Sequence, residues 1–165
     1  MPIKTPQAKT SRYWLMKSEP TTFSIDDLAT RENQQEFWDG VRNYQARNMM
    51  RDEMQRGDLA FFYHSNCKVP GIAGIIKIVE TKLPDLTALD HDSPYFDPKA
   101  SLENPRWIGV RVELVEKFKD VLSLSEIRAH PGLSKMVLRK PGNRLSITPV
   151  TEDEWDLINE LTNHT

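Results

Sequence analysis

The residues best suited to catalysis lie together near the middle of the chain, at the end of a predicted strand. His64 is followed directly by Ser65, and Cys67 comes two residues later. Neighbouring residues of a strand point to opposite faces, so His64 and Ser65 do not by themselves form a base and nucleophile pair. We expect His64 to be held by backbone hydrogen bonds, and a single cysteine without a motif is weak evidence for a thiolate nucleophile.

Other catalytic and metal-binding patterns are missing from the sequence. It contains no GxGxxG, P-loop, GxSxG, HExxH or CxxC motif. The four aspartates between residues 85 and 97 lack the regular spacing and the central glycine of a calcium loop. The sequence therefore predicts a protein that is not an enzyme and uses neither a metal nor a cofactor. The alternative is a base-processing enzyme that uses His64 and Ser65.

A second set of residues suits the binding of a flat heterocyclic ring. Trp38 lies just before a predicted helix, and Trp107 alternates away from the aliphatic face of a predicted strand. Aromatic faces stack on a base, hydroxyl and amide groups read its edge, and guanidinium groups meet phosphates. Such groups occur at two strand ends and on one helix face: Ser18, Tyr63, His64, Ser65, Tyr44, Arg47, Asn48 and Arg51. A sensor for a free nucleotide or another small molecule would use the same parts.

The elements that must position these residues are an irregular series of strands and helices. Apolar and alternating stretches predict strands at residues 13–18, 59–64, 72–80, 107–115 and 144–150. Capping boxes predict helices after Ser24, Ser123 and Thr151, and a run of helix formers predicts a helix over residues 41–55. Residues 81–106, rich in proline and aspartate, predict a long loop. We therefore expect an α+β fold with a curved mixed sheet or small barrel flanked by helices.

Composition and charge limit the classes of protein that this chain can be. Its 165 residues carry 22 Lys and Arg against 24 Asp and Glu, so an anionic partner must meet a local patch rather than a uniformly basic surface. One cysteine and the lack of a long apolar run predict an intracellular protein with no membrane partner, cytoplasmic or, in a eukaryote, nuclear. We expect residues 1–11 to be a flexible tail and residues 12–165 to form one domain.

Several short motifs, in order along the chain, resemble those of the EVE domain family. They are YWLMKSEP at residues 13–20, WDGVRNYQARN at 38–48, YHS at 63–65, GIAG at 71–74, YFDP at 95–98, PRW at 105–107 and RLS at 144–146. The longest of these blocks is highly specific, and the resemblance extends from about residue 13 to the C-terminal helix.

The resemblance implies a PUA-like fold, a small curved mixed β-barrel with flanking helices, and a non-catalytic module that recognises a modified base in DNA or RNA. Modified cytosine in DNA is among the ligands proposed for the family. The family motifs place the base-binding pocket at Ser18, Trp38, Asn43, Tyr44, Asn48, Tyr63, His64, Ser65 and Trp107. Trp38 and Trp107 would be the two walls of an aromatic cage. We expect phosphate contacts from Lys17, Arg47 and Arg51.

Overall fold

Six strands form one mixed sheet in the computed structural model, which describes residues 12–140 and 144–163. The strands are β1 (Tyr13–Ser18), β2 (Gln35–Phe37), β3 (Leu59–His64), β4 (Gly71–Pro84), β5 (Ile108–Ser123) and β6 (Ile147–Val150). Their order is β2-β5-β4-β3-β1-β6, with β1 and β3 parallel and the other pairs antiparallel. The predicted mixed α+β fold is confirmed. Closure into a barrel stays a prediction, and the predicted tail at residues 1–11 lies outside the described residues.

Four α-helices accompany the sheet in the described part of the chain. They are α1 (Ile25–Thr30), α2 (Tyr44–Asn48), α3 (Leu124–Ala129) and α4 (Glu152–Thr162). The three predicted capping boxes are present at Ser24, Ser123 and Thr151, where each side chain accepts a hydrogen bond from the backbone three residues later. None of the helices in residues 12–140 and 144–163 has the length and apolar character needed to cross a membrane.

The helix predicted over residues 41–55 is shorter and changes type along its length. Asn43 accepts a hydrogen bond at Oδ1 from the Ala46 N–H at 3.0 Å, and this side-chain cap makes α2 begin only at Tyr44. The backbone is π-helical from Met49 to Glu53 and extended at Met54. The buried face nevertheless includes the residues predicted for it, Ala46, Met50 and Met54.

Strands β4 and β5 are longer than predicted, and β4 takes up the first residues of the predicted loop. The register of the pair shifts at several places, and the first shift, between Ile72 and Gly74, is a bulge of the kind that the glycines of this stretch predicted. A Cβ on Gly74 would lie 2.2 Å from the carbonyl oxygen of Glu116, so only glycine permits this approach of the two backbones. Strand β2 was not predicted, because its three residues, Gln-Glu-Phe, carry no alternating apolar pattern.

Both faces of the sheet are buried, and alternate residues of β1 and β3 point to different cores. Met16 and Phe62 belong to one cluster, which includes Ile25 of α1 and Met50 of the π-helical segment. The other cluster comprises Leu15, Phe61, Tyr63, Ile72, Ile75, Phe118, Leu122, Ile127, Leu133, Met136, Val150, Trp155 and Ile158. Burial on both faces leaves the ends of the parallel pair as the place where polar side chains can gather.

Candidate functional site

A cavity of about 640 Å³ lies at the carboxyl ends of the parallel strands β1 and β3. Lys17 and Ser18 end β1, Ser65 directly follows β3, and Ser146 directly precedes β6. The loop before α2 supplies a further part of the wall. Strand ends of a parallel pair are common ligand sites, because side chains from neighbouring strands and loops converge there.

The cavity lining combines aromatic, polar and charged side chains. Its aromatic members are Phe23, Phe37, Trp38 and Tyr95. Its polar members include Ser18, Thr22, Asn43, Ser65 and Ser146. Its charged members are Lys17, Glu19, Arg31, Glu36, Asp39, Arg42 and Arg144. Such a lining can stack on a flat ring, exchange hydrogen bonds with its edge and hold an attached phosphate.

The structure brings together five of the residues predicted for binding. Lys17, Ser18, Trp38, Asn43 and Ser65 line the same cavity, although they come from three separate segments of the chain. The Ser65 N–H donates a hydrogen bond to the Ser18 carbonyl oxygen at 3.0 Å, which joins the ends of the two strands. The remaining predicted residues lie elsewhere: Tyr44, Arg47, Asn48, Arg51, Tyr63, His64 and Trp107 are not in the lining.

Trp38 forms a fixed wall of the cavity because most of its side chain is packed into the core. Its side chain is only 6% exposed. The indole meets Phe62 edge-on, with ring centroids 5.3 Å apart, and meets Phe23 in the same way at 6.5 Å. Its backbone N–H donates to the carbonyl oxygen of Val110 at 2.8 Å. The ring is therefore held in place before any ligand arrives.

Arg42 fastens the loop after β4 to the segment that carries Trp38. Its Nε and Nη2 donate to the carbonyl oxygen of Tyr95 at 3.1 and 2.7 Å, and Nη1 donates to the Asp85 carboxylate at 3.1 Å. The remaining N–H groups reach the Val41 carbonyl and the Thr87 hydroxyl. Because all five guanidinium N–H groups have acceptors within the protein, Arg42 positions the cavity wall and is not free to bind a phosphate.

Gly40 allows Tyr95 to enter the wall. Gly40 has a φ of +76°, and a Cβ at this position would lie 2.5 Å from the ring of Tyr95. Its N–H donates to the Asp85 carboxylate at 2.9 Å. Sequence analysis missed Tyr95, Asp85 and Arg42 as parts of the site, because their contacts cross more than forty residues of chain. The YFDP block was the one signal that pointed to this loop.

Two titratable groups in the lining have shifted pKa values. Burial lowers the pKa of Lys17, since a buried ammonium loses hydration. Desolvation raises the pKa of Asp39, and the nearby carboxylates of Asp85 and Glu36 raise it further. One side of the cavity thus carries a partly desolvated cation and another a carboxylate surrounded by like charge. A ligand with complementary polar groups would stabilise the charged forms of both side chains, because it would replace hydrogen bonds to water that burial has removed.

Tyr63 and His64 lie beside the cavity and have structural roles. Tyr63 points to the opposite face of β3 and is 3% exposed in the second core, so the prediction that it lines the pocket is not matched by the structure. His64 Nε2 accepts a hydrogen bond from the Ile25 N–H at 3.2 Å at the start of α1. This is the backbone hydrogen bond expected for a strand-end histidine, and it requires Nε2 to be unprotonated.

The hydrogen bond to His64 predicts a pH dependence of stability. Burial lowers the pKa of His64 below its ordinary value of 6.5, so the unfolded chain takes up the proton before the folded one does. We expect the free energy of unfolding to be highest above pH 6.5 and to fall as the pH is lowered through that value. Urea unfolding between pH 5 and 8 measures it. His64→Gln should flatten this pH profile, and the control His91→Gln, at an exposed position, should leave it unchanged. A profile that is unchanged in His64→Gln and flattened in His91→Gln would contradict the prediction.

A second aromatic cluster, made of Tyr44 and Trp107, lies outside the cavity. The two rings stack with centroids 4.9 Å apart. Trp107 is 6% exposed, and its indole N–H donates to the Asp97 carboxylate at 2.8 Å. Tyr44 is 48% exposed, and Arg106 donates a hydrogen bond to its hydroxyl. Trp107 is therefore not in the cavity lining, because it is tied to its own loop and faces Tyr44, and its pairing with Trp38 in an aromatic cage stays a prediction.

The two helix arginines predicted to contact phosphate have partners within the protein. Arg47 donates to the Asn48 side-chain oxygen through Nε and Nη2, and to the Arg106 carbonyl through Nη1. Arg51 forms two hydrogen bonds of 2.8 Å with the exposed carboxylate of Asp52. Asn48 is thereby engaged with Arg47 and does not reach the cavity. Phosphate binding by Arg47 and Arg51 stays a prediction.

Comparison with known proteins identifies the family. The family model described as "EVE domain" matches residues 12–161. The chain is 45% identical to thymocyte nuclear protein 1 of Gallus gallus, over 90% of this chain and 68% of the relative. It superposes with a TM-score of 0.88 on human THYN1 protein in complex with 5-methylcytosine-containing DNA, which is 42% identical, over 94% of this chain and 99% of that one.

A more distant neighbour shares the fold alone. The crystal structure of ASCH from Zymomonas mobilis matches with a TM-score of 0.53 at 12% identity, over 92% of this chain and 96% of that one. The expected PUA-like architecture is consistent with this likeness. Family membership follows from the other comparisons: the match over residues 12–161 and the 45% identity to a relative show that the chain belongs to the EVE domain family.

Proposed function

We propose that this protein binds DNA and accepts a modified cytosine, with 5-methylcytosine as the leading candidate, in the cavity at the ends of β1 and β3. The observation that carries the proposal is the cavity itself, which combines the fixed indole of Trp38 with hydroxyl groups and the ammonium of Lys17. The human relative crystallised with 5-methylcytosine-containing DNA supports the choice of ligand. A cavity of about 640 Å³ has room for one nucleotide base with its sugar.

The base must leave its stack to enter the cavity. A flipped base is recognised by stacking and by hydrogen bonds to its edge, and unstacking from a duplex costs a few kcal/mol. Ser18 Oγ donates its hydrogen to the Phe23 carbonyl at 2.6 Å. Toward a ligand the hydroxyl can therefore only accept a hydrogen bond, which an amino group donates and a carbonyl does not. The Asp39 carboxylate is a second acceptor in the lining. Acceptors of this kind suit the exocyclic amine of cytosine and disfavour thymine.

We propose that the protein reads the base without changing it. The candidate general base, His64, uses Nε2 to accept the Ile25 N–H and is absent from the cavity lining. A general base must reach the proton that it abstracts, directly or through one water. The exposed Tyr44, stacked on Trp107 and flanked by Arg47 and Arg106, offers a second surface for the strand next to the flipped base.

Matched oligonucleotides that differ in one methyl group test the proposal. We expect the methylated strand to bind about fourfold more tightly, because burial of a methyl group contributes about 0.8 kcal/mol. A single strand should bind more tightly than a duplex, which must first release the base. Fluorescence polarisation titrations with single-stranded and duplex DNA and RNA measure both preferences.

A variant that fills the cavity provides the control. Ser65→Phe places a ring in the cavity, while Ser125→Phe adds the same ring on the exposed surface of α3. We expect Ser65→Phe to lose the preference for the methylated strand and Ser125→Phe to keep it. Equal binding of methylated and unmethylated strands by the parent protein would contradict the proposal. Binding of the free nucleoside as tightly as the oligonucleotide would favour a small-molecule sensor instead.

A further inference from the structure

We infer that a second cavity, lined by Ser134, Lys135, Arg139 and Lys140, binds a backbone phosphate of the nucleic-acid strand whose modified base enters the first cavity. This inference rests on the proposed function and adds to it a separate site for the strand. The second cavity has a volume of about 380 Å³. The described residues that line it are three with cationic side chains and one with a hydroxyl. This set of donors suits a phosphate group, which offers several acceptor oxygens and negative charge.

Arg139 carries a buried guanidinium nitrogen that lacks an acceptor among the described residues. Nη1 of Arg139 is buried and has no hydrogen-bond partner within the described residues. A buried charged donor is costly unless an acceptor satisfies it, so such a group calls for an oxygen from outside the fold. Arg42 shows the contrast, because all five of its N–H groups have acceptors in the protein. Arg42 is a structural arginine, and Arg139 has the donor capacity that a bound anion needs.

Positive charge is concentrated in the part of the chain that forms the second cavity. The whole chain has a formal net charge of -2. Residues 127–151 nevertheless contain no Asp or Glu and carry the five cations Arg128, Lys135, Arg139, Lys140 and Arg144. A cluster of one sign within a nearly neutral protein creates a local positive potential that attracts the phosphate backbone.

The two cavities are separated by only a short distance along the chain. Lys140 lines the second cavity, while Arg144 and Ser146 line the first. Four residues of extended chain span at most about 14 Å. Successive nucleotides of one strand advance by about 3.4 Å along a duplex. A strand whose base occupies the first cavity can therefore place a phosphate about four nucleotides away, or fewer, at the second.

The salt dependence of binding tests this inference. The double variant Lys135→Gln/Lys140→Gln should bind both methylated and unmethylated oligonucleotides about tenfold more weakly at low salt. The slope of log K against log salt should become shallower by about 1, because the contact with one phosphate releases about one counterion. The preference for the methylated strand should not change. The control variant Lys68→Gln/Lys119→Gln removes the same charge from exposed positions outside both cavities and should behave like the parent.

The outcomes separate this inference from the proposed function. If the double variant matches the control in affinity and slope, the second cavity does not contact the strand and the inference is wrong. If the parent shows no preference for methylated DNA but the double variant still flattens the slope, the proposed function fails and the phosphate site stands. Inorganic phosphate, titrated at constant ionic strength, tests the other source of the ligand. A rise in the parent's Tm with phosphate, together with an unchanged slope for DNA in the double variant, would assign the cavity to free phosphate and overturn the inference.

Discussion

Replacement of Arg42 by methionine is expected to lower the free energy of unfolding by about 3 to 5 kcal/mol. The change leaves the Asp85 carboxylate, which is 3% exposed, without its cationic partner. It also removes both guanidinium hydrogen bonds to the Tyr95 carbonyl, so the loop loses its attachment to the cavity wall. Urea denaturation monitored by tryptophan fluorescence measures the stability, and titration with the methylated oligonucleotide should show loss of binding.

A matched arginine makes the Arg42 experiment specific. Arg51 pairs with Asp52 at the surface, where an ion pair contributes little, so Arg51→Met should change stability by no more than about 0.5 kcal/mol. Removing Asp85 as well should not rescue Arg42→Met, because Gly40 and Thr87 also donate hydrogen bonds to this carboxylate. Similar stability in Arg42→Met and Arg51→Met would show that Arg42 does not fasten the loop.

Substitution of Trp38 is expected to have the largest effect on base recognition. Trp38→Ala should cost about 3 to 5 kcal/mol of stability, because it leaves a void against Phe62 and Phe23. This variant cannot separate folding from binding. Trp38→Phe keeps a ring in the core but reduces the surface available to the base, and we expect it to weaken binding of the methylated strand about tenfold, within the roughly 1 to 3 kcal/mol that base stacking provides.

Trp155 supplies the control for Trp38. It has the same 6% exposure, but it stacks on Tyr13 and Phe61 in the other core. Trp155→Phe should therefore lower the free energy of unfolding by a similar amount to Trp38→Phe and leave binding of the methylated strand unchanged. Equal losses of binding in Trp38→Phe and Trp155→Phe would mean that the effect comes from general destabilisation, and the stacking wall would then have to be sought elsewhere.

Local signals were sufficient to predict much of this fold. Strand β1 is predicted over its full length, and the capping boxes at Ser24, Ser123 and Thr151 mark the helix starts correctly. These features depend on residues at most a few positions apart. The start of α2 was missed because the side chain of Asn43 caps the helix three residues later than the run of helix formers begins.

The candidate site could be predicted only in part, for a physical reason. Ser18 and Ser65 were predicted correctly because they lie at the ends of predicted strands: Ser18 is the last residue of β1, and Ser65 directly follows β3. The alternation rule, applied along β3, would have excluded Tyr63, since Phe62 faces Trp38 and the next residue must face the other core. The contacts of Tyr95 could not be predicted, because they depend on how a loop returns to the sheet.

The attachment of the loop through a main-chain oxygen has a consequence for how ligand preference can change. Arg42 binds the carbonyl of Tyr95 and not its hydroxyl, across 53 residues of sequence. Every amino acid has that carbonyl, so these two hydrogen bonds do not depend on which side chain occupies position 95. The Arg42 guanidinium also lies over the Tyr95 ring, 5.6 Å from its centroid, and only this contact depends on the side chain. The Tyr95 ring packs directly against Gly40, whose lack of a Cβ makes room for it. A single substitution at position 95 can therefore exchange one wall of the cavity for another of different size or polarity, while the sheet, the two hydrogen bonds from Arg42 and the indole of Trp38 keep their places.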